Sequence, residues 1–484
     1  MSENTLAKEM QECREYKHEH EGDHGAENVE MYSEENGREN KRSKDLPIDR
    51  LSELPDSLLI HILSFLGVKH AAMTSLLGKK WQFLWAELPK LEFEFDFWDK
   101  NEKPDKILNF VDGINKTLAT RSENYLEKLK VVFKYRESFA PDVDNWLEFA
   151  LKSKVKHVHL SIIFSEEFYT LLEMMYSNSS LTSLSLRGCI LDPTGTIQWS
   201  SLTKLQISEV DLPQTVVEKI ISGCPVLNCL ELSECWGFTC LDINSRNLCK
   251  LWVQDPEFEE TKHFLQISAP YVTSLILWVT LEETQLKLIN ISSAVDILFC
   301  FTGFLSDLPS DNVLSNTKEF FQNIHHVTKL QVGPGPVKAL AALVLDGWQL
   351  PQNTLRCLTI DMVSHSAETI PGILGLLEAS PHLEKLFIDS IDPYALDEDW
   401  VPPAKGDLDC DLLHLKTIKM SNLANPNLGG EPMLTLARIF LKRATALEQM
   451  RIWVNIDDTS EFIKIGQTLL TYPVSSPNAV ILLP

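Results

Sequence analysis

Two hydrophobic periodicities divide this sequence. From Pro55 onward, Leu58, Leu59, Ile62, Leu63, Phe65 and Leu66 recur at helical spacing, which predicts a helix opened by Pro55 and stopped at Gly67. A second helix is predicted from about Lys69 to Leu77, carrying Ala72, Met73, Leu76 and Leu77, and a third around Trp81, Phe83, Leu84 and Trp85. From about residue 88 another rule takes over: an apolar residue, two variable ones, a second apolar, one variable, a third apolar. It runs through Leu126/Leu129/Val131, Val155/Val158/Leu160, Leu181/Leu184/Leu186, Leu202/Leu205/Ile207, Leu227/Leu230/Leu232 and Leu248/Leu251/Val253. It continues as Val272/Leu275/Leu277, Val295/Leu298/Cys300, Val327/Leu330/Val332, Leu355/Leu358/Ile360, Leu383/Leu386/Ile388, Leu415/Ile418/Met420 and Leu447/Met450/Ile452. The last two positions of each copy are two apart, so they share one side of a short strand. Copies lie roughly 21 to 32 residues apart, a period at which strands stack in parallel and merge their apolar sides into one core. The connecting segments, often helical, are expected to cover that core from the other side.

Ahead of both patterns, residues 1–46 are rich in Glu, Asn, Lys and His and nearly lack large aliphatics, so they are expected to be disordered. His18, His20 and His24 sit among glutamates there and are read as solvated rather than metal-binding. Arg38, Lys41, Arg42 and Lys44 form a short basic cluster, either a nuclear import signal or a solvated charge run. No apolar segment in this stretch suits a signal peptide, and the longest apolar run elsewhere, Ala339 to Leu345, is far short of the roughly 20 residues that span a bilayer. An intracellular protein of nucleus or cytoplasm is expected, with its ten cysteines as thiols. The formal charge of −24 argues against a nucleic-acid binder, which needs a cationic field, and against an anionic membrane surface.

The segment after Asp45 is greasier than a small helical core requires, and such a surplus predicts a partner. It resembles the F-box of plant F-box/leucine-rich-repeat proteins of the FBD class. The matching residues are Asp49-Arg50-Leu51, Leu54-Pro55-Asp56, Ile62-Leu63-Ser64-Phe65-Leu66, Thr74-Ser75-Leu76-Leu77, Lys79-Lys80-Trp81 and Leu84-Trp85. Met73 stands where that family usually has Arg, and Gly78 where it usually has Ser. The resemblance implies docking on a Skp-family adaptor of a cullin–RING ubiquitin ligase. Leu54, Pro55, Leu58, Ile62, Leu63, Leu76, Trp81 and Trp85 would line the contact or support it from behind.

The repeats are similar to leucine-rich repeats. Cys189 and Cys235 fall three residues after the final apolar position, where this repeat class places Cys or Asn inside the turn. Ser222-Gly223-Cys224-Pro225-Val226-Leu227, with Leu230 and Leu232, resembles a signature of the same plant proteins. Leu412 to Ile418, the helical run Leu434 to Ala444 and Leu447 to Ile452 resemble the FBD ending, and read from the residues alone they cap the solenoid. The expected fold class is therefore α/β: a three-helix F-box, then a leucine-rich-repeat solenoid with parallel strands on its concave face and helices and loops outside. The expected domains are a tail (1–46), the F-box (47–95), the solenoid (96–405) and FBD-like capping repeats (406–484).

Candidate chemistry changes little. Cys224, Cys229, Cys235 and Cys240 are evenly spaced, but without a close Cys-x-x-Cys pair they do not read as zinc ligands. Gly333-Pro334-Gly335-Pro336 reads as a loop, since its prolines remove the N–H donors of a phosphate cradle. His157 and His159 are expected on the exposed strand surface, either solvated or touching a target; His325-His326 lies beside a strand. The acidic stretch Asp392 to Asp411, with Trp400 and Pro402-Pro403, is either a solvated insertion or a contact for a basic target. No acid, base or nucleophile constellation stands out, so neither catalytic residues nor a cofactor or metal is expected. The implied function is the substrate receptor of an SCF-type ligase, with an unidentified protein target on the repeats. The alternative is a repeat scaffold or small-ligand receptor that does not act through ubiquitination.

Overall fold

The computed structural model describes residues 49–95, 97, 105–121, 126–163, 167–255, 263–281, 284–301, 309–362, 369–390, 408, 410–423, 431–454 and 459–483. The N-terminal tail with its histidines and basic cluster, and nearly all of the acidic stretch around Trp400, lie outside the described residues. The chain divides after Glu53 into two units. In the described part of the first, the Asp49 carboxylate accepts the Ser52 N–H at 3.0 Å.

The second unit is organised by one 15-stranded sheet whose strands follow chain order and pair in parallel. It starts at Lys90–Glu94, continues through Lys128–Phe133 and His157–Ile162, and ends with Gln449–Val454 and Val480–Leu482. Register is kept from strand to strand. Leu129 pairs with Val158, Val158 with Leu184, Leu184 with Leu205 and Leu205 with Leu230, and all five are buried. A second buried row, Val131, Leu160, Leu186, Ile207 and Leu232, runs beside it, as the repeat pattern requires.

One copy is shifted. Leu275 and Leu277 pair with Ile297 and Phe299, so the inward residues of that repeat are Ala294, Ile297 and Phe299 rather than Val295, Leu298 and Cys300. Val295 is exposed. The run Ile297-Leu298-Phe299-Cys300 is apolar on both faces, so alternation within it has two solutions; the neighbouring strands choose between them.

The layer behind the sheet changes along the stack. Helices Asp105–Thr120 and Ala140–Lys152 serve the first repeats, and Pro334–Leu345, Ile370–Glu378, Glu431–Arg443 and Thr459–Leu470 the last. In the middle, expected helices give way to a smaller parallel sheet of Cys240–Asp242, His263–Ser268 and Thr284–Asn290. The next helix, Asp311–Asn323, closes its edge. Asn316 accepts the Leu286 N–H at 3.0 Å and donates to the Thr284 carbonyl at 2.6 Å, while Asn312 donates to the Leu281 carbonyl at 2.9 Å. Side-chain amides thus satisfy backbone groups that an edge strand would leave open. Phe320 of this helix stacks on Phe299, ring centroids 3.8 Å apart.

Gly333-Pro334-Gly335-Pro336 is not a loop: Gly333 caps the helix Pro334–Leu345, which begins with Pro334. Prolines in a first turn forfeit only N–H groups that have no intrahelical partner. Gly335 is required for space, because a Cβ there would lie 2.5 Å from the Phe301 carbonyl oxygen. The sequence Ser222-Gly223-Cys224-Pro225 ends the helix Gln214–Gly223, where a Cβ on Gly223 would lie 2.4 Å from the Ile197 oxygen. The end of the chain runs strand Thr417–Leu423, helix, strand, helix, strand, one helix and one strand more than the expected ending. Among the described residues no helix is long and apolar enough to cross a membrane.

The shifted frame is testable by urea unfolding. Ile297→Ala should cost about 2–5 kcal/mol, and Val295→Ala should stay within about 0.5 kcal/mol.

Candidate docking surfaces

The helical module at the start of the second unit has a core of its own. Helix Asp56–Leu63 begins after Pro55, whose carbonyl accepts the Leu58 and Leu59 N–H groups at 3.0 and 3.1 Å. Its Leu59 and Leu63 are buried with Ala71, Trp81, Leu84 and Leu88, and Leu54, Ile60 and Trp85 pack at the margin. Lys80 fastens the entry to the helix by donating to the Leu54 carbonyl at 2.6 Å, and its ammonium lies 3.6 Å from Asp56. Helix Val68–Met73 tightens into a 3₁₀ turn at Thr74–Leu77. The third predicted helix is two 3₁₀ turns, Lys79–Trp81 and Leu84–Glu87, separated at Phe83, whose φ of −124° leaves the helical region.

The eight predicted contact residues separate into two groups. Pro55, Leu58, Ile62 and Leu76 are exposed; Leu63 and Trp81 are buried behind them, with Leu54 and Trp85 half-buried between. Leu76 is 85% exposed, Phe65 77% and Leu77 66%, values at which a leucine or phenylalanine contributes nothing to the module's own core. Phe65, Leu66, Met73, Leu77 and Phe83 join the exposed apolar set and were not among the eight. Helical periodicity marks Phe65 and Leu66 as apolar but gives no sign of which face is turned outward. Gly78 has extended backbone, and no atom lies within 4 Å of a Cβ placed on it, so the turn before Trp81 does not depend on glycine.

The second surface is the outer face of the 15-stranded sheet. At its start Lys128 and Lys130 pair with Glu92 and Glu94 of the preceding strand at 2.7 and 2.5 Å. His157 and His159 sit on this face as expected, but half-buried. His159 Nδ1 lies 2.9 Å from Ser185 Oγ, and burial, then Lys130 and Lys128, push its pKa down from 6.5 to about 4. His326 Nε2 lies 3.0 Å from the Ile291 carbonyl oxygen, a contact within the fold. Further on, Glu231 is buried between Lys204 and Lys250 at 3.3 and 4.0 Å and accepts from Gln206. An open groove of about 570 Å³, lined by Thr203, Lys204, Val226, Asn228, Cys229 and Asn247, runs beside these strands.

Cys189 and Cys235 are buried in the turns. Cys235 donates to the Ile207 and Ser233 carbonyls at 3.3 Å each, and burial pushes the thiols of Cys224, Cys229 and Cys235 up to about 12. Protonated thiols are poor metal ligands. Among the described residues no three His, Cys, Asp or Glu side chains gather as a metal site.

Residues 118–461 match the family described as the At1g61320/AtMIF1 LRR domain. The F-box/LRR-repeat protein At5g02910 of Arabidopsis thaliana is 30% identical over 355 residues, 71% of this chain and 72% of the relative. The F-box protein At5g03100 of the same plant is 27% identical over 319 residues, 64% of this chain and 97% of the relative. A leucine-rich-repeat solenoid preceded by an apolar helical module is the class that fold and surfaces define. The chain belongs to the F-box/LRR-repeat family found in plants.

Two outcomes follow. Gly78→Ser should leave the fold intact and raise stability by about 0.4–1 kcal/mol through the unfolded chain, read by urea midpoint. Because the folded state holds His159 neutral where the unfolded chain protonates it, stability should fall as pH drops from 6.5 to about 4. His159→Gln should flatten that part of a melting-temperature profile.

Proposed function

We propose that this chain is the substrate-recognition subunit of an SCF-type (Skp–cullin–F-box) E3 ubiquitin ligase. The observation that carries this reading is the exposed apolar set on the helical module. Leu58, Ile62, Phe65, Leu76, Leu77 and Phe83 face outward around a core of six buried residues. A module so small loses much of its apolar gain if such a face stays wet, and a partner helix surface would cover it. Membership of the F-box/LRR-repeat family supports a Skp-family adaptor as that partner, and through it a cullin–RING ligase. On this reading residues 47–95 are the F-box, 96–405 the target-binding repeats, and 406–484 an FBD-like cap. The chain works in the nucleus or cytoplasm. It adds no catalytic group; its contribution is proximity, holding a target lysine near a charged ubiquitin-conjugating enzyme.

The test is co-purification of the full chain with a plant Skp-family adaptor. The Leu54→Ala/Pro55→Ala double variant should lose the complex, but Leu54 also packs on the module's core. Leu76→Asp is the cleaner probe. It lies outside that core, so the melting temperature should hold while affinity falls by about tenfold or more, roughly 1.4 kcal/mol. Unchanged capture by Leu76→Asp and the double variant would overturn the interface. Absence of a complex with the folded wild-type chain would overturn the ligase role.

A further inference from the structure

On the outer face of the sheet the alternation of polar and apolar residues breaks down over three adjacent strands: Lys250–Gln254, Ser274–Trp278 and Asp296–Cys300. In most other strands the middle residue on this face is polar, as with Ser185, Gln206, Glu231, Gln331 and Thr359, and the exceptions Phe387 and Leu482 each stand alone, with Phe387 between Thr359 and Lys419 and Leu482 beside Arg451. Here it is Trp252, Ile276 and Leu298, side by side in register. Two residues further along the same face stand Trp278 and Cys300. Ile276 is therefore flanked across the sheet by Trp252 and Leu298 and along its strand by Trp278. Ile276, Leu298 and Cys300 form a buried floor, and both tryptophans stay partly exposed beside it. Neighbouring strands are about 4.8 Å apart, so the floor is as wide as one large side chain.

The rim beside this patch is charged with one sign. Glu209, Glu234 and Asp255 each follow the last residue of their strand in successive repeats. All three adopt left-handed backbone, with φ of 52°, 51° and 37°, and donate their N–H to the end of the next strand. Arg187 neutralises Glu209. Among the described residues neither Glu234 nor Asp255 has an ion-pair partner; Thr280 hydrogen-bonds the Asp255 carboxylate, whose buried Oδ1 accepts no hydrogen bond. At the other end of the strands Lys250 lies over the Trp252 ring at 5.5 Å and shares Glu231 with Lys204, so its charge is already engaged.

The geometry points to this patch as the seat of an extended polypeptide segment that presents a large apolar side chain next to a lysine or arginine. The apolar side chain covers Ile276 between the two tryptophans, and its basic neighbour meets Glu234 and Asp255. Aromatic residues with a charged rim carry much of the affinity at protein interfaces. The inference deepens the reading of the chain as a target receptor and rests on it.

The test uses the full-length protein and fluorescent synthetic peptides. Each fixes Leu, Phe or Trp at one position and varies the flanking positions among Lys, Arg, Asp, Glu and Ser. Binding should select an apolar anchor beside Lys or Arg; Trp278→Ala should weaken it by about tenfold. Glu234→Lys, on the exposed rim, should abolish the preference for a basic neighbour with no loss of melting temperature, which keeps the idea testable if Trp278→Ala does not fold. No selection by the wild-type chain, or selection unchanged in both variants, overturns it. Adaptor capture measured on the same preparations separates the two readings: adaptor binding without peptide selection removes only this patch, and peptide selection without adaptor binding removes only the ligase role.

Discussion

The whole repeat region depends on parallel strands keeping register. A strand such as Lys204–Ser208 offers only Leu205 and Ile207 to a core, too little apolar area to offset the entropy of ordering its repeat. Placed between Leu184/Leu186 and Leu230/Leu232, the same two residues become part of a continuous row. Stability is thus a property of neighbours, approximately a sum of interfaces between adjacent repeats. The same constraint explains why the backing layer can change from helices to a small sheet and back. The core requires an apolar cover behind each strand and is indifferent to its secondary structure, provided that edges are closed, as Asn312 and Asn316 close one.

That constraint also decides what could be read from the residues. The paired positions were legible because a period of two has one reading wherever the intervening residue is polar, as in Leu129-Lys130-Val131. It failed at Ile297 to Cys300, where no polar residue marks the outside, in one of the three adjacent strands whose outer face is apolar. The prolines of residues 333–336 misled for a different reason. Their lost donors weigh against a helix interior or a phosphate cradle but not against a first turn, and which applies depends on the residues that follow. In the helical module the apolar residues were legible and their burial was not. Leu59 and Leu58 are chemically identical neighbours, yet only the packing of Trp81 and Leu84 turns one inward.

Among the places where apolar residues lie outside the core, beside scattered exposed ones such as Leu345, Leu413 and Leu470, are the outward set on the helical module and the Trp252–Trp278 patch on the sheet. Both break the local rule that strands and helices of a water-exposed surface show polar side chains. They lie in a chain whose formal charge is −24. Charge of this size opposes self-association, so contact at an apolar site must outweigh that repulsion.

The joint between module and repeats has a mechanical meaning. Helix Val68–Met73 lies against strand Lys90–Glu94, and its Val68 belongs to the repeat core while its Ala71 belongs to the module's. One short helix is thus shared by two cores, with no slack chain between them. Under the proposed reading, a target gripped by the sheet is carried on a stiff strut rather than a tether. Which of its lysines can be modified then becomes a question of fixed distance and angle, set by how many repeats separate the grip from that helix.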